Sequence, residues 1–186
     1  MGAQILAFLI QTVFGLLVYL TLLRFYMQVF RAPFRNPVGQ FVMALTDWAV
    51  KPLRRVLPSM RFDAASLSVA WLAEIVMLVL LTAFVSRAAV GATFGLIVIQ
   101  SVLELVRASL QLLMFVVIVQ AVMSWVSPFH PLMSVFDALT RPFYGVFRRF
   151  IPPLGNVDLS PLFVLVIAQI LLIVLDNLPR ALLGVG

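Results

Sequence analysis

The sequence predicts an all-α membrane protein in which four transmembrane helices form two parallel helix–loop–helix repeats, each with an amphipathic interfacial helix in its loop. Three observations carry that prediction. Hydrophobic residues make up 63% of the 186 positions and charged residues only 11%, whereas soluble domains have about 45–50% apolar and about 25% charged residues. Several apolar runs approach the ~20 residues that cross a bilayer. The chain is also duplicated: with Pro37 set on Pro131, the register holds without a gap through Leu45/Leu139, Thr46/Thr140, Arg54/Arg148, Arg55/Arg149 and Pro58/Pro152. One inserted residue then brings Asp63 onto Asp158 and Glu74 onto Gln169. Four spans and two loops leave too little chain for a water-soluble domain of ~100 residues. Residues 1–186 therefore read as a single membrane domain, with repeat one over about 5–87, an apolar connecting segment over about 88–104 and repeat two over about 105–180.

The first span is Ile5 to Leu23, with Gln11, Thr12 and Thr21 as its few polar members, and its helix is expected to continue to about Phe30. Met1 to Gln4 carries no basic residue and no small-residue cleavage pattern follows, so this run reads as an uncleaved span and not a signal peptide. Leu67 to Val85 is the second span and contains Glu74; Gln111 to Val126 is the core of the third; Pro161 to Leu178 is the fourth, with Pro161 suited to a first turn because its missing N–H would be unpaired there anyway. The segment Ala88 to Ser101 is apolar but short before Glu104 and Arg107, which favours an interfacial or re-entrant helix over a full crossing. Charge decides the topology. Of 13 Lys and Arg, nine fall in the loops Arg31–Arg61 and Arg141–Arg149. The positive-inside rule keeps both loops on the cytoplasmic face only with four spans and parallel repeats, which leaves both termini outside.

Each loop carries an amphipathic pattern. After Asn36 as N-cap and Pro37 at the first helical position, Val38, Phe41, Val42, Leu45, Trp48, Ala49, Leu53, Val56 and Leu57 recur at three- and four-residue spacing. Gln40, Asp47, Lys51, Arg54 and Arg55 fall largely on the other side, the pattern of a helix lying among headgroups, with Pro52 bending or dividing it. The second copy, Pro131 to Phe150, is more apolar, through Leu132, Val135, Phe136, Leu139, Phe143, Val146, Phe147 and Phe150. His130 stands where Asn36 stands in the first loop and reads as a helix cap. Asp63 with Ser66, and Asp158 with Ser160 and Pro161, precede the second helix of each unit and suit N-capping.

Three groups are candidate functional residues. Glu74 lies about eight positions, roughly 12 Å, inside its span, where an ionised group costs about 2.5–3.5 kcal/mol and must be paired, protonated or facing water. Arg24 is the expected partner, and Gln169 is the repeat-two counterpart of Glu74. A structural tie between helices, a cation or proton site, and a contact with a partner span all remain open for this intramembrane group. Lys51, Arg54, Arg55, Arg141, Arg148 and Arg149 are expected to set orientation and attract anionic lipid headgroups, at about 1 kcal/mol per cation, or to dock an acidic cytoplasmic partner. Nucleic acid is not expected, because no stacking platform accompanies the arginines. With no cysteine, one histidine and scattered carboxylates, no metal shell, cofactor site or nucleophile triad can be assembled. No enzymatic activity is expected.

Arg24-Phe25, Asn36-Pro37, Lys51-Pro52-Leu53-Arg54-Arg55 with Pro58, Ser124-Trp125 with Ser127-Pro128, Arg148-Arg149 with Pro152-Pro153, and Asp158-Leu159-Ser160-Pro161 together give a sequence that resembles the YggT (YlmG) family of small bacterial membrane proteins with plastid relatives. The likeness covers essentially the full length in two repeats, although repeat one has Asp63-Ala64-Ala65-Ser66 in place of Asp-x-Ser-Pro. It implies a bacterial inner membrane protein. It also implies an association with osmotic-stress tolerance, potassium uptake or cell division, or, in plastids, with cytochrome assembly or nucleoid distribution; it brings no catalytic residues. An adaptor that presents two basic helices to lipid and to a protein partner is the preferred expectation. The alternative is a cation or proton transporter with a path near Glu74 and Gln169, which homo-oligomerisation would assist by building a pore between protomers.

Overall fold

A computed structural model describes residues 1–57, 63–86, 90–149 and 158–183. The described chain is helical: α1 Gly2–Val29, α2 Pro37–Val56, α3 Ala64–Leu80 with a π-helical extension Leu81–Ser86, α4 Val90–Val126, α5 Met133–Phe147 and α6 Ser160–Leu183. Four of these are long and apolar enough to cross a membrane, over Gly2–Val29, Ala64–Val85, Thr93–Val126 and Ser160–Leu178. The two between them are amphipathic, so each repeat is span, interfacial helix, span. Register positions Pro58 and Pro152 lie outside the described residues, as does Phe150.

The local chemistry explains the boundaries. After α1, Arg31 takes a positive φ of 55°, Ala32 N–H donates to the Met27 carbonyl at 2.8 Å and Arg31 N–H to that of Gln28 at 3.2 Å. That closes the helix as a Schellman motif, with arginine at the position glycine usually fills. Asn36 caps α2 as expected, its side chain accepting from Gly39 N–H at 2.9 Å, with Pro37 in the first turn. Pro52 does not divide α2, which runs unbroken to Val56. His130 is not the cap of α5. That helix begins at Met133 after Leu132, and His130 instead accepts the Leu132 N–H at 3.2 Å.

Residues 90–101 form no separate interfacial or re-entrant helix: they are the opening turns of α4, a single helix of 37 residues, about 55 Å long at 1.5 Å per residue. Glu104 and Arg107 break the apolar pattern of the sequence without breaking the helix, because they pair with each other one turn apart at 2.5 Å. At almost twice the ~30 Å of hydrocarbon, α4 must tilt or extend beyond it.

α1 packs chiefly on α3, and α4 about equally on α3 and α6, with alanines at the close approaches: Ala70 and Ala73 on α3, Ala108 on α4 and Ala168 on α6 are buried, as expected where spans associate through tight backbone packing. Val18, Leu22 and Met27 join Ala70, Ala73, Ala108 and Leu112 in a central core. Each interfacial helix is pinned to its own repeat by equivalent residues: Val50 of α2 packs with Ala65 and Val69, and Tyr144 of α5 packs with Val117 and Val164. Val50/Tyr144 and Val69/Val164 match in the duplicated register with its one-residue insertion. The protein-facing stripe of α2 is Val42, Thr46 and Val50, whereas Phe41, Leu45 and Trp48 of the predicted apolar face point outward. α2 is thus apolar on two sides, one for the bundle and one for lipid.

Candidate functional site

Where α2 crosses α1, Thr46 accepts a hydrogen bond from Arg24 Nη1 at 2.7 Å, and Asp47 pairs with the same nitrogen at 2.7 Å. Arg24 is only 4% exposed. The expected Arg24–Glu74 tie is therefore not formed. Asp47, which the helical pattern had assigned to the wet side of α2, supplies the counter-charge, because docking Thr46 on α1 carries the neighbouring carboxylate to the guanidinium. Asp47 also accepts from Lys51 at 2.7 Å. Burial, the largest single influence, pushes its carboxyl up, but hydrogen bonds from Lys51 and Arg24 and the charge of both together hold it below the ordinary carboxylate range.

The twin arginines divide their work. Arg54 pairs with Asp63 at 2.5 Å and donates to Gln28 of α1 at 3.1 Å. Asp63, wholly buried, also caps α3, accepting from the Ser66 hydroxyl at 2.5 Å and from Ser66 N–H. Repeat two repeats the arrangement: Arg148 pairs with Asp158 at 2.6 Å, and Asp158 accepts from Ser160 N–H at 2.9 Å. Desolvation raises both carboxyls, yet the arginine and serine hydrogen bonds outweigh it, so both lie below their usual range. Arg54 and Arg148 are thus latches that hold the end of each interfacial helix to the next span. Arg55, Arg141 and Arg149 are exposed and make no ion pair among the described residues. The sequence signal for the latches was present: Arg54/Arg148 and Asp63/Asp158 recur in step.

Inside the bundle, Glu74 is 3% exposed and has no hydrogen bond or ion pair among the described residues. Its charged neighbours are Glu104 and Arg107 on α4. Arg107 also bridges to Asp176 of α6 at 2.5 Å, and Tyr19 of α1 donates to Gln111 of α4 at 2.5 Å beside them. The fold therefore gathers Tyr19, Glu74, Glu104, Arg107, Gln111 and Asp176 from four spans. It does not bring Arg24, Glu74 and Gln169 together: Arg24 faces α2, and Gln169 is exposed on α6. Glu104, Arg107 and Asp176 escaped the sequence reading as a site because Asp176 is 69 residues from Arg107. In repeat two the internal polar link runs through an amide to one acid, with Tyr144 donating to Gln120 at 2.9 Å and Gln120 to Asp137 at 3.0 Å. Among the described residues no three His, Cys, Asp or Glu side chains form a metal-binding group.

A family model described as CCB3/YggT matches residues 3–84 and 99–179, one segment for each repeat. An uncharacterized protein in the proC 3′ region of Vibrio alginolyticus is 35% identical over 159 residues, covering 84% of this chain and 85% of its own length. The uncharacterized protein YggT of Escherichia coli K12 is 33% identical over 168 residues, covering 89% of this chain and 86% of its own. An uncharacterized Haemophilus influenzae protein is 29% identical over 180 residues, covering 96% and 93% respectively. No solved structure matches the chain.

Proposed function

The chain belongs to the CCB3/YggT family, and from that premise we propose that it is a non-enzymatic adaptor or assembly factor of the bacterial inner membrane. It would serve envelope processes such as cell division or osmotic-stress tolerance, with both basic loops cytoplasmic. The observation that supports this reading most is the division of the arginine pairs. One member of each pair braces the fold, and Arg55 and Arg141 on the interfacial helices, with Arg149 in the turn after α5, remain exposed. A braced helix with unspent cations suits recognition of an acidic surface, since little ordering entropy is lost on binding. At the same end of repeat two, Trp125 and Phe129 are 85% and 96% exposed, adding aromatic contact area of the kind that anchors interfaces. The test is affinity purification from native membranes. A stoichiometric protein partner is expected, lost on Arg141→Gln with Arg149→Gln while membrane abundance holds; a partner retained by that variant refutes the reading.

A second reading is favoured by one observation: Glu74 is buried at mid-span with no ion pair among the described residues, beside Tyr19 and the Glu104–Arg107–Asp176 group. Intramembrane ionisable residues mark ion or proton paths by default. In this reading the protein is a cation or proton transporter or channel component. Purified protein in liposomes decides it: cation or proton flux abolished by Glu74→Gln establishes transport, and no flux above empty liposomes removes it.

A further inference from the structure

On α2, Trp48, Lys51, Pro52 and Arg55 stand at i, i+3, i+4 and i+7, and so share one helix face. All four are exposed, with Trp48 at 70%. Alongside that face lies a cleft of about 380 Å³ between α1, α2 and α3, walled by Phe14, Leu17, Val69, Leu72 and Val76 with Trp48 and Pro52 at its edge. The indole N–H of Trp48 is already spent on the Leu45 carbonyl at 2.8 Å, so the ring offers the cleft no unmet donor.

The order along the membrane axis is informative. Arg54 is tied to Asp63 at the loop end of α3, which places its neighbour Arg55 at that level. The α3 wall of the cleft, Val69 to Val76, then runs from about 9 to about 20 Å beyond Asp63 at 1.5 Å per residue. Cations stand at the mouth and apolar surface lies beneath. The exposed face carries two cations, Lys51 and Arg55, and one acid, Asp47, which pairs with Lys51 and, beneath α2, with buried Arg24. The face therefore keeps a surplus of one positive charge. Repeat two lacks the arrangement, since the matching positions are Pro142, Gly145, Val146 and Arg149.

We propose that this cleft seats an acyl chain of an anionic phospholipid whose headgroup is held by Lys51 and Arg55. The walls belong to membrane spans, so the occupant must itself be in the bilayer. The surplus charge matches a phosphodiester, and the apolar depth below it matches a hydrocarbon tail. This site shares Arg55 with the adaptor reading but does not require it, because a lipid seat would serve a transporter equally, and its test does not involve Arg141, a partner protein or flux.

The test uses the full chain in nanodiscs with Trp71→Phe and Trp125→Phe, which leaves Trp48 as the sole tryptophan. Lipids brominated along the tail quench an indole only in contact. Brominated phosphatidylglycerol is expected to quench Trp48 more than brominated phosphatidylcholine at equal mole fraction. Each cation contributes about a five-fold preference by the usual worth of a basic residue at an anionic surface. Lys51→Gln with Arg55→Gln should therefore remove about twenty-five-fold, Arg55→Gln alone about five-fold, and Arg55→Lys or Arg149→Gln almost nothing. The single Arg55 substitutions keep the test decisive if the double variant fails to fold, because Arg55 is exposed and makes no ion pair among the described residues. Equal quenching by the two lipids overturns the proposal. So does an Arg149→Gln effect as large as that of Arg55→Gln, which would mean general attraction to the surface. Relief of quenching by inorganic phosphate would assign the cations to a soluble anion, and quenching by neither lipid would mean that a protein span fills the cleft; both also overturn it.

Discussion

The two latches invite a comparison within one molecule: Asp63→Ala against Asp158→Ala. Asp63→Ala removes the N-cap of α3, and Asp158→Ala removes the acceptor for the first-turn Ser160 N–H of α6, each worth about 1 kcal/mol. They differ in the ion pair. The Asp63 side chain is 0% exposed and Arg54 35%, so its pair falls between the exposed limit of about 0.2–1 kcal/mol and the 3–5 kcal/mol typical of breaking a fully buried pair; about 2 kcal/mol is a fair value. Asp158 and Arg148 are 31% and 55% exposed, and solvent screening leaves about 0.5 kcal/mol. The expected losses are therefore about 3 kcal/mol in repeat one and about 1.5 in repeat two, a tenfold difference in the unfolding constant. Reversible denaturation in mixed micelles measures both. Double-mutant cycles over Arg54/Asp63 and Arg148/Asp158 isolate the pair terms from the caps, and Asp63→Ser, which keeps a capping oxygen without the charge, should recover about 1 kcal/mol relative to Asp63→Ala. Equal losses in the two repeats, or a larger coupling in repeat two, would refute the argument that burial sets the strength of the latch.

Four further outcomes are expected. Both latch carboxyls lie below their ordinary range, so the stability they add is fully present above the unfolded Asp value of about 3.9 and is lost as pH falls through the lower folded values. The stability gap between the wild type and Asp63→Ala should hold at pH 5–7 and close only well below pH 4, as denaturation at stepped pH would show. Gly39→Ala should destabilise the protein by about 1–3 kcal/mol, because an added Cβ would stand 2.5 Å from the Phe34 carbonyl oxygen, a backbone atom that cannot swing aside; an unchanged melting point would contradict this. Arg24→Leu leaves the Asp47 carboxylate with Lys51 alone and strips the donor from Thr46, at an expected cost of about 2–4 kcal/mol, whereas Glu74→Gln, which breaks no pair, should cost under about 1 kcal/mol; denaturation of the two variants side by side tests the ranking. Finally, the chain has no cysteine, so single cysteines at Arg55 and Arg149 should react with an impermeant thiol reagent from the same side of the membrane, and labelling from opposite sides would overturn the parallel arrangement of the repeats.

Much of the fold was legible in the sequence because lipid imposes few solutions. With no water available to backbone groups, apolar runs must be helices, and so length and composition gave four spans, while the offset of Pro37 from Pro131 gave their pairing into repeats. Local caps were legible for the same reason that they form: Asn36 and Asp63 satisfy N–H groups three residues away, a distance the chain fixes by itself. The error at residues 90–101 came from reading Glu104 and Arg107 as a boundary. Their mutual neutralisation is local and one turn apart, so spacing held that information, but their link to Asp176 did not exist until α4 met α6.

The sequence by itself determined what lipid and local geometry dictate: four spans, two copies, two amphipathic helices and their capping residues. The tertiary structure decided which charges meet. Arg24 chose Asp47 over Glu74 because helix packing selects one rotation of α2 upon α1, and an apolar period allows several. The same rotation turned Trp48, Lys51 and Arg55 outward over a cleft between three helices. Contacts across helices depend on rotation and stagger to within a few ångströms, and hydrophobic spacing along one chain leaves both undetermined.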